Sequence, residues 1–180
     1  MEYQQRKHPR LKAYDYSGNG AYFITICTRQ REPLLGSIRT DGRLREEADL
    51  GMGQIELSAV GQICKQFLEG IPEHYTGVFL DCYIIMPDHI HLLLVLDDAA
   101  CSGGQGSDRP TVQRILHAFK RLSSQQADRK LWQESFYEHI VRNETDLHEI
   151  RQYILQNPIK RSLERSGPLD SRRAAYHENP

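Results

Sequence analysis

The chain has 180 residues, of which 39% are hydrophobic and 26% charged, and its formal net charge is −1. These values predict one globular domain over residues 1–180 and give no bulk signature of a nucleic-acid binder, so any such role would depend on local clusters. No apolar run is long enough to cross a membrane, residues 1–8 lack the apolar core of a signal peptide, and the cysteines are scattered singly, so we expect a cytoplasmic protein without disulfides and with no membrane partner.

The N-terminal residues 1–20 are polar and basic, and Arg10 and Lys12 are interleaved with tyrosines. A solvated arm is the simpler interpretation of this composition. The functional alternative is an arm that binds phosphates and stacks on bases.

Residues 21–28 are β-branched and aromatic, which predicts a central strand. A β-excursion follows, with an Asp-Gly hairpin signal at 41–42 and a glycine-rich loop over 50–56. An amphipathic helix then begins after Ser58, a suitable N-cap, and we expect Pro72 to end it.

Two strands are predicted over 78–86 and from residue 89 to 96, joined by a Pro-Asp turn. Because side chains alternate along a strand, His89 and His91 point to one face and Ile90 points to the other. Two imidazoles at this spacing can bind one metal ion. Hydrogen-bonded strand histidines are the structural alternative, and the spacing alone does not decide between them.

Residues 97–110 are rich in small and polar residues and predict a flexible linker. Thr111 can cap a second amphipathic helix, whose polar face carries Lys120 and Arg121. Those charges are either a solvated helix face or a phosphate-binding surface.

A loop and a short strand are expected over 131–142, with Tyr137 and His139 in the strand. Thr145 is the expected cap of a third helix, and Pro158 is expected to stop it because the residue before proline disfavours helical backbone. A loose tail is predicted after about residue 161.

Tyr153 and Asn157 are four residues apart and therefore share one face of the third helix. A phenol beside an amide oxygen suits a site for a hard divalent ion, and with two histidines it would leave coordination positions open. An ordinary half-buried tyrosine and a helix-capping asparagine are the structural alternative. Taken together, the elements predict an α+β fold of the ferredoxin-like or RRM-like type, an antiparallel sheet with helices on one face and a C-terminal helix that carries the tyrosine.

The histidine pair at the start of a strand and the later tyrosine helix resemble the HUH single-tyrosine transposases. The similarity is greatest to the REP-associated tyrosine transposases, relatives of the small insertion-sequence transposases. It extends over most of residues 10–161, through motifs at 10–16, 22–28, 79–91, 132–143 and 151–160.

The resemblance implies a transposase that cleaves and rejoins single-stranded DNA through a 5′-phosphotyrosine. By motif, Tyr153 is the nucleophile, and His89, His91 and Asn157 are ligands of a divalent ion, Mg²⁺ or Mn²⁺. The implied partner is single-stranded or hairpin DNA, bound by a monomer or a homodimer. Basic residues that could contact its backbone are Arg10, Lys12, Lys120 and Arg121.

Other interpretations stay open at this point. A non-catalytic nucleic-acid-binding module could use an RRM-like sheet with stacking aromatics. A small-molecule metallohydrolase would need further metal ligands and a deep pocket. Tyr137 is a rival nucleophile by residue type, and His139 is either a hydrogen-bonded structural histidine or a support for the metal ligands.

Overall fold

A computed structural model gives the fold. It describes residues 19–38, 55–97 and 111–166, and the side chains of the last stretch as far as Pro158. Three predicted segments lie outside the described residues. They are the basic arm with Arg10 and Lys12, the Asp-Gly hairpin signal, and nearly all of the 97–110 linker. The elements in chain order are β1 (Gly20–Cys27), a 3-10 turn (Arg29–Arg31), β2 (Gly36–Ile38), β3 (Ile55–Leu57), α1 (Ala59–Glu69), α2 (Ile71–His74), β4 (Val78–Met86), β5 (His89–Leu96), α3 (Val112–Gln126), β6 (Tyr137–Val141) and α4 (Glu144–Ser166).

Four strands form one antiparallel sheet in the order β4-β5-β1-β6, and β2 pairs with β3 in a separate two-stranded sheet. Along the chain, the main sheet and its helices follow the β-α-β-β-α-β pattern of ferredoxin-like folds. The predicted fold class is therefore confirmed, as are the two strands that flank the Pro-Asp turn.

The two faces of the sheet pack against different helices. Ile24 and Ile90 lie on the face that carries the main core, together with buried residues of α1 and α3. The opposite face carries Leu93, which packs in a smaller core with Ile150 and Ile154 of α4. Burying one such aliphatic side chain is worth about 1.5–3 kcal/mol, so α4 is held on the face where the histidine pair is expected.

Two helix caps follow the sequence prediction. The Ser58 hydroxyl accepts a hydrogen bond from the backbone N–H of Gly61 at 3.1 Å, and the Thr111 hydroxyl accepts one from that of Arg114 at 3.2 Å. Each bond satisfies one of the N–H groups that a helix start leaves without a partner in the helix.

Four predicted boundaries are wrong, and the fourth is the end of α4 at Pro158. Pro72 does not end α1, which stops at Glu69, because this proline lies in the first turn of α2, where a missing N–H costs nothing. The cap of α4 is not Thr145 but Asn143, whose side-chain oxygen accepts from the N–H of Asp146 at 2.9 Å. The predicted loop over 50–56 reaches into strand β3, which begins at Ile55.

Pro158 lies inside α4 and does not stop it, since the helix continues to Ser166. A proline inside a helix costs about 3 kcal/mol, so other contacts have to offset it. Pro158 is itself buried, and Ile154, one turn before it, packs fully buried against strand residues such as Leu93, so these buried contacts offset the cost. The predicted tail therefore starts as helix, and residues 167–180 lie outside the described part.

Gly61 is required by close packing of α1 against the chain that precedes it. A Cβ at this position would lie 2.0 Å from the backbone oxygen of Leu35 and 3.2 Å from the Leu57 side chain. We predict that Gly61→Ala lowers the free energy of unfolding by about 1–3 kcal/mol in urea titrations, although alanine is the better helix former. Gly70→Ala is the control, since its nearest atom would be 3.3 Å away; equal stability of the two variants would contradict the packing argument.

Candidate active site

The start of β5 is fixed by a neighbouring loop. The backbone N–H of Thr28 donates to the carbonyl oxygen of Asp88 at 3.0 Å, and the Thr28 hydroxyl is shared between that oxygen, at 2.9 Å, and the carbonyl oxygen of Glu32, at 2.7 Å. The N–H of Leu35 donates to the carbonyl oxygen of Pro87 at 2.9 Å. Both residues of the β4–β5 turn are thus tied down directly before the first histidine.

His89 and His91 lie on the same face of β5, as predicted, and are almost fully buried. Their Nε2 atoms converge to 3.1 Å. Ile90 between them belongs to the main core on the opposite face. The alternation of the strand therefore produces a paired imidazole site beneath α4.

The outer nitrogens of both rings are held by neighbouring side chains. His89 Nδ1 lies 2.7 Å from a carboxylate oxygen of Asp88, and an ionised carboxylate only accepts, so Nδ1 carries a proton, which in a neutral imidazole puts the lone pair on Nε2. His91 Nδ1 lies 2.8 Å from the Thr25 hydroxyl. Because a hydroxyl can donate or accept, Thr25 permits either tautomer of His91.

This donor set fits a divalent metal ion. Two ligands at a right angle around an ion with bonds of about 2.1 Å stand about 3 Å apart, as the Nε2 atoms do. The hydrogen bonds to the outer nitrogens are those that orient metal-binding imidazoles. Within the described ranges, no three His, Cys, Asp or Glu side chains form a group that could hold an ion. From the described part of the chain, a third protein ligand would therefore have to be another residue type, such as an amide.

Tyr153 lies beside the histidine pair. The centroid of its ring is 5.2 Å from that of His91, at an interplanar angle of 65°, and the side chain is 42% exposed. The residue sits on the side of α4 that meets the sheet, one position before the buried Ile154. One chain thus brings together the predicted nucleophile and a predicted metal ligand.

Asn157 follows Tyr153 by one turn of α4 and is half-buried. The sequence interpretation placed it at the end of the helix, where its amide would be free to turn. That placement is wrong, because α4 continues to Ser166. Its role as a metal ligand stays a prediction.

Phe23 forms the aromatic floor of the site, which sequence reasoning missed. Its ring stacks on His91 with centroids 5.4 Å apart and meets the ring of Tyr153 edge-on at 5.9 Å. Tyr137 meets Phe23 from the other side at 6.4 Å. Phe23 thus contacts both tyrosines that are candidate nucleophiles. Of the two, Tyr153 is the one that lies beside the histidines.

His139 ties β6 to the beginning of α4. Its Nε2 lies 2.9 Å from a carboxylate oxygen of Asp146, which also accepts from the N–H of Arg142 at 3.2 Å. The hydrogen bond from His139 is the main cause that lowers the pKa of Asp146. His139 is therefore a hydrogen-bonded structural histidine, the first of its two sequence interpretations.

Arg151 ties α4 to the edge strand β4. Its Nε donates to Asp81 Oδ1 at 2.8 Å, and its Nη2 donates to Oδ2 of the same carboxylate. This pairing lowers the pKa of Asp81 from its ordinary value. The two residues are 70 positions apart, so no local sequence signal could have revealed the pair.

We predict that Asp81→Asn lowers stability by about 0.5–1 kcal/mol near neutral pH, the upper range for a partly exposed ion pair. Because pairing lowers the pKa of Asp81, the contribution is present above its unfolded-state pKa and is lost as the pH falls through the lowered folded-state value. Urea titrations across acidic pH would measure this. Lys65→Gln, which breaks an exposed pair with Glu69, is the control; a deficit for Asp81→Asn that persists in strong acid would contradict the assignment.

The basic residues that the sequence offers as contacts to the DNA backbone differ in their surroundings. Lys120 Nζ donates to the backbone oxygens of the three residues before Phe136, at 3.0 to 3.2 Å, and lies 5.2 Å from the centroid of that ring. It therefore holds the segment that leads into β6. Arg121 is exposed, and Arg10 and Lys12 lie outside the described residues.

Arg31 is a cation beside the site that sequence reasoning missed. Its Nη1 lies 3.8 Å from the carboxylate of Asp88, and its side chain is 54% exposed. Arg31 and Gln30 both have positive φ angles, 58° and 55°, which non-glycine residues rarely adopt. The tight turn thus places a guanidinium group on the far side of the carboxylate that orients His89.

No helix within the described residues has the length and apolar character needed to cross a membrane.

Residues 54–157 match the model of the family "Transposase IS200 like". A Haemophilus influenzae protein of uncharacterised function is 33% identical over 173 residues, covering 86% of this chain and 88% of that protein. A second protein of that organism, described as a candidate REP-associated tyrosine transposase, is 30% identical over 152 residues, covering 81% of this chain and 74% of that protein.

Among solved structures, a REP-associated tyrosine transposase bound to a REP hairpin matches 89% of this chain and 74% of its own, with a TM-score of 0.53 at 17% identity. At that identity the match supports the fold alone. The family model covers more than half of the chain, and the two relatives extend over most of it. The chain therefore belongs to the IS200-like transposase family, and it is an enzyme of the tyrosine transposase type.

Proposed function

We propose that this transposase cleaves and rejoins single-stranded DNA with Tyr153 as its nucleophile and a 5′-phosphotyrosine as its intermediate. The observation that carries the proposal is the position of the Tyr153 ring, 5.2 Å from that of His91, whose Nε2 converges on that of His89. Because this arrangement forms within one chain, we propose that a monomer is sufficient for cleavage.

In the proposed step, Tyr153 Oη attacks a backbone phosphorus. The Oη–P bond forms, the bond from phosphorus to the 3′ oxygen breaks, the phenol loses its proton, and the 3′ oxygen leaves as a hydroxyl. The link retains the energy of the broken bond, so a 3′-hydroxyl can later reverse the step without ATP. The ordinary pKa of a phenol is about 10, so the nucleophile needs activation at neutral pH.

We propose that His89, His91 and Asn157 bind the activating ion, Mg²⁺ or Mn²⁺. When bound, the ion would polarise a phosphate oxygen and offset the charge that develops on it. Asp88 favours the neutral tautomer of His89 that has its lone pair on Nε2. Thr25 can accept from Nδ1 of His91, which would leave a lone pair on Nε2 of His91 as well.

The proposed substrates are imperfect DNA hairpins with short single-stranded flanks. The similar solved transposase was bound to a REP hairpin. Since the net charge is −1, affinity would depend on local basic groups and fall with salt. Arg121, Arg10 and Lys12 are the proposed backbone contacts, and Lys120 would contribute mainly by holding its loop.

The test is a cleavage assay on hairpin oligonucleotides taken from the DNA that flanks this gene, with Mg²⁺, Mn²⁺ or a chelator. We expect a covalent protein–DNA adduct on denaturing gels that requires the metal. Binding without cleavage under every metal would support the non-catalytic module instead. The packing of α4 speaks against that module, because α4 covers the β4 and β5 part of the sheet face that such a module would present to bases.

A further inference from the structure

Tyr137 presents an exposed aromatic ring that the proposed chemistry does not use. It is 51% exposed, the largest exposed fraction among the large hydrophobic side chains of the described residues. Half of this large aromatic ring stays in contact with water and adds no burial to the fold, so it is a candidate for contact with a ligand.

The sheet register places this ring in line with the histidine site. Thr25 pairs with His91 on one side and with Tyr137 on the other. Directly paired residues of antiparallel strands project from the same face, so all three side chains share the face that carries α4. Neighbouring strands are about 4.8 Å apart, which sets the backbone of Tyr137 about 10 Å from that of His91.

Phe23 supports the inner side of the ring. It meets Tyr137 edge-on at 6.4 Å and stacks on His91 at 5.4 Å. Tyr137 is therefore positioned by a ring that also contacts His91, the proposed metal ligand. A tyrosine has only two side-chain torsions, so it makes a large contact at a small entropic cost.

We propose that Tyr137 stacks on a base of the single-stranded DNA, within about three nucleotides of the cleaved bond, since stacked bases repeat about every 3.4 Å. The inference rests on the proposed function and assigns the strand a direction across the sheet, from the Tyr153 site toward β6. Stacking on a phenol is tolerant of base identity, because every base has a π-face. Tyr137 would thus hold the strand in register without reading its sequence.

The experiment measures fluorescence anisotropy with the labelled hairpin oligonucleotide and with a thymidine oligonucleotide of about 16 nucleotides. We expect Tyr137→Ala to weaken binding about tenfold, while Tyr137→Phe and Tyr137→Trp bind as the wild type does. Phe79→Ala is the matched control. Phe79 is 49% exposed but pairs with Val95, which lies about 13 Å along β5 from His91.

A scan of single abasic nucleotides in the hairpin oligonucleotide locates the stacked base. In the wild type, one abasic position close to the cleavage site should weaken binding about as much as Tyr137→Ala does. In Tyr137→Ala the same abasic position should cost nothing more, which a structural effect of the substitution would not produce.

The outcomes separate the two proposals. If the wild type binds and cleaves, and Tyr137→Ala binds equally well, stacking is overturned and the proposed function stands. If Tyr137→Phe weakens binding as much as Tyr137→Ala, the hydroxyl group and not the ring face is responsible, and stacking is again overturned. If the wild type binds neither oligonucleotide, both proposals fail.

Discussion

Tyr153→Phe is expected to abolish formation of the protein–DNA adduct and to slow strand cleavage by at least about 10⁴-fold, as loss of an enzyme nucleophile does. Only the hydroxyl is removed, so the ring contacts with His91 and Phe23 remain. Tyr153 is 42% exposed, so stability should change by no more than about 0.5 kcal/mol. Denaturing gels report the adduct, and anisotropy should show DNA binding close to that of the wild type.

Tyr137→Phe is the control for this experiment. It removes a tyrosine hydroxyl from a second ring that contacts Phe23, but Tyr137 lies two strands away from the histidines. It should retain the adduct in full. An adduct that survives in Tyr153→Phe and disappears in Tyr137→Phe would assign the nucleophile to Tyr137 and overturn the proposed role of Tyr153.

The features that the sequence could predict are those set by local periodicity. Alternation along β5 is sufficient to place His89 and His91 on one face and Ile90 in the core. The caps at Ser58 and Thr111 are likewise local, since each hydroxyl bonds to an N–H three residues ahead. The four-residue spacing that puts Tyr153 and Asn157 on one helical face belongs to the same class.

The features that could not be predicted depend on contacts that are remote in the chain. Thr25 meets His91 across 66 positions, and only the strand register reveals it. Pro158 would end an isolated helix, but the buried contacts of Ile154 with the sheet outweigh its local cost. The signal of a proline is local, whereas the packing that overrides it is not.

These remote contacts explain how α4 holds Tyr153, the proposed nucleophile, in place. His139 fixes the first turn of the helix to β6, and Arg151 fixes its next turns to Asp81 on β4. Tyr153 lies two residues after Arg151, over the strands between these two edges. A helix attached at both sides of the sheet keeps the phenol near the histidine pair within one chain, which would lower the cost of reaching the proposed reactive arrangement.

His91→Ala is expected to remove Mn²⁺ binding by the protein and the metal-dependent adduct together. The substitution takes away one of two converging Nε2 atoms and leaves the other without its neighbour. Asp88→Ala should weaken Mn²⁺ binding about 10- to 100-fold, because it removes the group that holds His89 in the metal-binding tautomer. Electron paramagnetic resonance of free Mn²⁺ measures affinity independently of activity.

His139→Ala is the matched control, since this histidine also lies on the sheet but bonds to Asp146 at the start of α4. It should bind Mn²⁺ as the wild type does. Chelation of the wild type should abolish the adduct, and added Mn²⁺ should restore it, whereas high Mn²⁺ should restore the adduct in Asp88→Ala but not in His91→Ala. If His91→Ala bound Mn²⁺ with unchanged affinity, the paired imidazoles would be a hydrogen-bonded structural feature, and the activating group would have to be sought elsewhere around Tyr153.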